Sequence, residues 1–259
     1  MRNVDMNDLI FIAREAGNAI MDIYQGNYDV EYKANDTPLT IADQSANDII
    51  VQYLTEKYPE IMILSEESKD DPKRRTKDYL FIVDPLDGTK EFINQNGEFT
   101  VNIALVYQGR PIMGVIYAPV LGEMYYASYE QGAYMFNVHA DEAQRLSVSN
   151  KTQDLIMVGS KSHASKEERA LMDEKQHLIQ DTLTKGSSLK GCMVARGQAD
   201  VYYRYGLTAE WDTAAMQCIA EESGAIVRQL DHTPLTYNRE DTLNKKGFYI
   251  VNHPDNIWI

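Results

Sequence analysis

The run Ile82-Val83-Asp84-Pro85-Leu86-Asp87-Gly88-Thr89 gathers more chemistry than any other stretch of the chain. An apolar strand delivers Asp84, Pro85 bends the backbone, and Asp87 returns three positions later. Two carboxylates on one tight turn can share hard divalent cations, because Mg²⁺ takes oxygen ligands and keeps some of its waters. Gly88 lets the backbone approach a ligand closely. Thr89 adds a hydroxyl, and the Leu86 carbonyl offers a neutral ligand from the same turn. A plain surface turn would use the same residue types, so the other acids at element ends decide the matter. Ser65-Glu66-Glu67-Ser68 follows the preceding apolar run, which puts Glu66 at a neighbouring strand end; the alternative is a solvated loop. Glu210-Trp211-Asp212-Thr213 opens a helix, with Asp212 expected as its N-cap. An acid at a helix N-terminus can combine capping with metal ligation. Asp36-Thr37-Pro38-Leu39-Thr40-Ile41-Ala42-Asp43 reads as a loop and cap with Asp43 in the first turn of the next helix.

The elements that must position these groups follow from hydrophobic spacing. Leu9, Ile12, Ala13, Ala16, Ile20 and Tyr24 recur at helical intervals, predicting a helix over Asp8–Tyr24 with Asn7 or Asp5 near its cap. A second helix is predicted over Ile41–Tyr58, with Ile41, Ser45, Ile49 and Tyr53 on one side and Pro59 as its stop. Ile61–Leu64 and Tyr79–Val83 read as buried strands around a charged loop, Lys69 to Lys77. Thr100–Tyr107, Ile112–Tyr117, Glu123–Ser128 and Gly132–Phe136 form an antiparallel meander. Beyond Asn150, strands near Ile156–Gly159, Ala199–Tyr203 and Ala225–Arg228 alternate with helices near Lys166–Gln180, Ser188–Arg196 and Thr213–Ser223. That alternation predicts a smaller α/β half. We expect two domains dividing near Ser149–Asp154: 1–150 with most metal ligands, and 151–259 with Asp212 and the substrate contacts.

Among 259 residues, 39 acidic against 25 basic side chains leave a net charge of -14. Duplex nucleic acid is an unfavourable partner for such a chain, whereas a small anionic substrate is acceptable where bound cations reverse the local field. No apolar stretch is long enough to span a bilayer, and Met1-Arg2-Asn3-Val4-Asp5 does not read as a secretory leader. Cys192 and Cys218 have neither disulfide-framework nor metal-ligand spacing. The expectation is a cytoplasmic protein.

The chain resembles the lithium-sensitive, magnesium-dependent phosphomonoesterases, the family that includes inositol monophosphatase and 3'-phosphoadenosine 5'-phosphate phosphatase. The resemblance is carried by Pro38-Leu39-Thr40 with Ala42-Asp43, Leu64-Ser65-Glu66-Glu67, Val83 through Ile93, and Asn96 through Leu105. Ser160-Lys161-Ser162-His163, Gly186-Ser187-Ser188-Leu189-Lys190 and Trp211-Asp212-Thr213-Ala214-Ala215 follow in order. Together these span nearly the whole chain. The family likeness implies an α/β fold of alternating layers, an αβαβα sandwich of the sugar-phosphatase type. It also implies two or three Mg²⁺ ions held by Glu66, Asp84, the Leu86 carbonyl, Asp87 and Asp212. Asp43, Glu67 and Thr89 would lie close to the nucleophilic water, and the Gly88 and Thr89 N–H groups would meet the scissile phosphate. Lys90-Glu91-Phe92 favours the nucleotidase branch, in which His163, Ser187, Lys190 and Arg204 resemble residues that hold adenosine and a second phosphate. Each has a plainer alternative: a loop histidine, a solvated helix lysine, a surface arginine.

The implied reaction is hydrolysis of the 3'-phosphate of 3'-phosphoadenosine 5'-phosphate to AMP and phosphate by water activated at the metals. No covalent enzyme nucleophile is needed. The alternatives are an inositol or broad sugar-phosphate phosphatase and, in a different class, a non-catalytic sensor of phosphorylated ligands. Met216 departs from the pattern, standing where the family usually has glycine. Monomer and homodimer both stay open as expectations, and the resemblance to bacterial relatives adds peripheral attachment to the inner membrane as an option.

Overall fold

The computed structural model describes residues 4–26, 30–32, 38–140, 142–160 and 165–259. In chain order the elements are α1 (Met6–Tyr24), β1 (Val30–Tyr32), β2 (Pro38–Thr40), α2 (Ile41–Lys57), β3 (Met62–Ser65) and β4 (Tyr79–Asp87). There follow α3 (Thr89–Ile93), β5 (Thr100–Tyr107), β6 (Arg110–Ala118), β7 (Glu123–Ser128), β8 (Gly132–Asn137) and β9 (Gln144–Arg145). The remainder is β10 (Leu155–Gly159), α4 (Lys166–Lys175), β11 (Ile179–Thr184), α5 (Leu189–Ala195), β12 (Val201–Arg204), α6 (Glu210–Glu222), β13 (Ile226–Gln229) and β14 (Phe248–Val251). β3 to β9 form a seven-stranded sheet in sequence order, and the other large sheet runs β11-β10-β12-β14-β13.

Alternation along the strands builds the layers, because successive side chains point to opposite faces. Phe81, Val83, Val101 and Ile103 pack with Leu9, Ile12 and Ile20 of α1 and with Ile50 and Leu54 of α2. Each such side chain contributes about 1.5–3 kcal/mol of burial. The intervening residues Leu80, Ile82, Ala104 and Val106 face the other way and share a cluster with Cys192 and Val194 of α5, Ala215 and Ile219 of α6, and Tyr202 and Ile250 of the second sheet. The far face of that second sheet packs Met157, Val201 and Tyr249 against Leu171 of α4. The result is helix pair, sheet, helix pair, sheet, helix, the layered sandwich expected from the family likeness.

Several local expectations need correction. α1 begins at Met6 rather than Asp8, capped by Asp5, one of the two expected caps, whose carboxylate accepts from the Asn7 N–H at 2.9 Å. α2 buries Ala42, Asp43, Ala46, Asn47, Ile50 and Leu54, whereas Ile41 is 48% exposed. Its inward face is therefore one position off the predicted stripe, because two polar residues turn toward the interior. The helix expected over Lys166–Gln180 stops at Lys175, and Ile179–Thr184 becomes an edge strand. The strand predicted to end at Val83 continues to Asp87.

Candidate active site

Strand pairing brings the first acids together. β3 and β4 are parallel with Ser65 opposite Val83, and the Glu66 N–H donates to the Val83 carbonyl at 3.2 Å. Glu66 thus leaves its strand beside Asp84. β4 pairs regularly with β5 as far as Asp84 opposite Asn102, loses register, and resumes with Asp87 opposite Thr100. Pro85 has no N–H to give to the ladder, and the irregularity lets acids three positions apart approach one another. Gly88 then takes the left-handed conformation at φ 98°, which suits glycine, and α3 begins at Thr89.

Asp212 arrives from the other half of the chain. It is not the N-cap of α6; that position is Ala209, and Asp212 lies in the first turn, where its Oδ2 accepts from the Ala209 N–H at 2.6 Å. Carboxylate oxygens of Asp84, Asp87 and Asp212 lie within 4.8 Å of one another. Glu66 falls outside that triad but acts on it by charge. Asp84 is 1% exposed, and burial, reinforced by Glu66, Asp87, Asp212 and Asp43, pushes its carboxyl well above the usual range. Burial and Asp87 push Asp212 up to about 7. The Asp84 Oδ1 has no hydrogen-bond partner among the described residues. Acids so crowded must hold protons or share a cation, and an all-oxygen donor set suits a hard one. This cluster could hold a metal ion.

Neighbouring residues fix the acids. Asp87 Oδ2 accepts from the Ser188 N–H at 2.7 Å, the Ser188 hydroxyl at 2.6 Å and Asn102 Nδ2 at 3.2 Å. Asn47 Oδ1 accepts from the hydroxyls of Ser65 at 2.7 Å and Ser68 at 3.2 Å, fixing the turn that carries Glu66 and Glu67. Asn47, Asn102 and Ser188 were missed in the sequence. Asn102 and Ser188 lie inside motifs that carry the family likeness but were given no role, and Asn47, among the polar residues at the start of α2, has no signal of its own. The Thr89 hydroxyl stands 3.5 Å from Asp43 Oδ2, and Asp43 is 2% exposed.

A cavity of about 180 Å³ extends from Asp87 and Asp212 to Ser187, Lys190 and Arg204. Lys190 is 8% exposed, and its Nζ donates to the carbonyl of Ser187 at 2.6 Å and of Lys185 at 3.4 Å. Burial lowers its pKa, with Asp87 opposing. Ser187, at φ 43°, gives its hydroxyl to the Glu98 carbonyl at 2.9 Å. The nearest Arg204 nitrogen lies 3.8 Å from Glu168 Oε1. Leu86 is buried. His163 lies outside the described residues.

Comparison with known proteins supports the resemblance read from the motifs. Residues 5–254 match the model of the inositol monophosphatase family. The chain is 42% identical over 246 residues to the 3'(2'),5'-bisphosphate nucleotidase CysQ of Salmonella typhimurium, covering 93% of this chain and 96% of that one. The crystal structure of CysQ from Bacteroides thetaiotaomicron, a bacterial member of the inositol monophosphatase family, superposes with a TM-score of 0.83 at 40% identity, covering 97% of this chain and all of that one (100%). The extragenic suppressor protein suhB of Bartonella henselae gives 0.81 at 27% identity, with 96% and 93% covered. With sequence and backbone both aligned from the first helix to the last turn, this chain belongs to the inositol monophosphatase family.

Proposed function

We propose that the chain is a magnesium-dependent phosphomonoesterase, a 3'(2'),5'-bisphosphate nucleotidase that converts 3'-phosphoadenosine 5'-phosphate to AMP and phosphate. The observation that carries this reading is one cavity lined both by Asp87 and Asp212 of the acid triad and by buried Lys190 with Arg204. Such a cavity suits a small molecule bearing two anionic groups. The 42% identity to a CysQ nucleotidase points the same way.

In this reading Glu66, Asp84, the Leu86 carbonyl, Asp87 and Asp212 hold two or three Mg²⁺ ions. When bound, Mg²⁺ supplies the positive charge that lowers the pKa of a water and stabilises the leaving oxygen. The chain's own residues do the rest. Asp43 accepts the Thr89 hydroxyl proton, which leaves the Thr89 oxygen to accept from the attacking water. Glu67 is the further acid at that water, and the Gly88 and Thr89 N–H groups receive the reacting phosphate. Ser188 and Asn102 hold Asp87 in one orientation. Lys190, Arg204 and Ser187, with His163, receive the second phosphate and the nucleoside. Residues 1–150 carry most of the acids, and 151–259 carry Asp212 and the substrate side. The proposed setting is the cytoplasm; no helix among the described residues is long and apolar enough to cross a membrane.

The deciding experiment is phosphate release from bisphosphate nucleotides, inositol phosphates and sugar phosphates, with and without Mg²⁺. The expected result is Mg²⁺-dependent release that is fastest with the bisphosphate nucleotide. Faster release from inositol 1-phosphate would overturn the substrate assignment, and tight binding without release would make the chain a sensor.

A further inference from the structure

Met216 lines the cavity and is 4% exposed. It lies four residues after Asp212 on α6, so the two side chains share a helix face. Across the interface, α5 presents Gly191. A β-carbon at that position would stand 2.2 Å from Met216 Cγ and 2.4 Å from its Sδ. The thioether therefore fills the space that any side chain at 191 would need, and α5 and α6 hold it against the cavity. If phosphate sits at the acid triad, the alcohol it is esterified to meets the next surface along that face, which is Met216.

We propose that Met216, admitted by Gly191, is a specificity-determining residue that selects nucleoside-type leaving groups over polyhydroxylated rings. The inference rests on the nucleotidase reading and deepens it. A thioether has no donor and only a weak acceptor. A furanose can lay carbon–hydrogen surface on it, and the soft, adaptable sulfur side chain packs well there. A cyclitol carries an oxygen on every ring carbon, so a hydroxyl pressed onto Met216 loses water without gaining a partner.

The test is kcat/KM for 3'-phosphoadenosine 5'-phosphate and for inositol 1-phosphate, with melting temperatures recorded for every variant. Met216→Ser should lower the nucleotide-to-inositol ratio by about 10-fold or more, through KM, while Met216→Leu restores most of it. Gly191→Ala should weaken nucleotide turnover by about 10-fold, and adding Met216→Ala should restore the melting temperature by removing the clash but not the nucleotide-to-inositol ratio. General destabilisation lowers both substrates together and leaves the ratio alone. An unchanged ratio in Met216→Ser overturns the proposal, as does wild-type turnover by Gly191→Ala. If the unmodified chain releases no phosphate from the nucleotide, the nucleotidase reading falls and takes this inference with it. If it does release phosphate and the ratio holds, the inference alone falls.

Discussion

Asp84 within β4 and Glu210 at the start of α6 are both carboxylates withdrawn from water, and burial pushes both above the ordinary range. Their surroundings differ. Glu210, 0% exposed, receives the Asn238 N–H at 2.8 Å, the Arg239 N–H at 2.9 Å and Arg239 Nε at 3.1 Å. Asn238 in turn accepts from buried Arg74 at 3.0 Å, and Arg74 also donates to Asp70 at 2.6 and 3.0 Å. That network ties the segment after Glu66 to the helix that carries Asp212. Asp84 has other acids for neighbours and an oxygen without a donor. A buried acid surrounded by donors closes a structure. One surrounded by acids is at rest only with a proton or a cation, so partner type, rather than burial, separates scaffold from site.

The comparison can be broken first at Asp84. Asp84→Asn should cut Mg²⁺-dependent phosphate release by about 10³-fold or more, since a cation's charge stabilisation is worth several kcal/mol. In EDTA the same variant should melt higher than the parent, because a neutral amide there needs neither a proton nor a cation to be buried; a lower melting temperature would contradict the account. Glu210→Ala should do the reverse, losing about 3 kcal/mol in urea unfolding by stranding buried donors. Unchanged stability there would make the two acids alike.

Smaller effects sharpen the contrast. Ser188→Ala removes one of the three donors to Asp87, leaving the backbone N–H of residue 188 and Asn102 Nδ2, and should raise the half-saturating Mg²⁺ concentration about 10- to 100-fold, read by titrating activity. The smallest effect is in pH. Asp212, raised to about 7, binds its proton more tightly folded than unfolded. Its contribution to stability is full below about pH 4, the unfolded carboxylate range, and is lost as pH rises through about 7. Metal-free melting temperature should therefore fall across that window, and saturating Mg²⁺ should flatten the slope.

Much of the site was legible because its acids end apolar runs. Asp84 and Asp87 flank a proline that no central strand carries without a register break, and Glu66 closes the neighbouring strand. The supporting residues were not legible. Asn47 and Asp43 make α2 bury polar groups where a periodic reading places Ile41 and Ile49, and that pull comes from the 65–68 turn and Thr89, which are remote in sequence. Asn102 lies in an otherwise apolar strand, and its partners Asp87 and Ser188 come from two other segments. The edge strand Ile179–Thr184 is largely exposed and polar, so neither period shows, and it reads as a continuation of α4. Asp212 was recognisable as a helix-start acid, but whether it caps the helix or sits inside the first turn depends on Ala209 and on how the preceding loop enters.

The docking of α6 on the seven-stranded sheet has a consequence for the order of events during synthesis. Glu66, Asp84 and Asp87 emerge from the ribosome long before Asp212, and the last acid reaches them only when α6 packs beside α5. A growing chain therefore lacks the third acid of the triad until α6 has been made and packed. If the triad holds a cation, as proposed, its capture would wait on the closing of the middle layer.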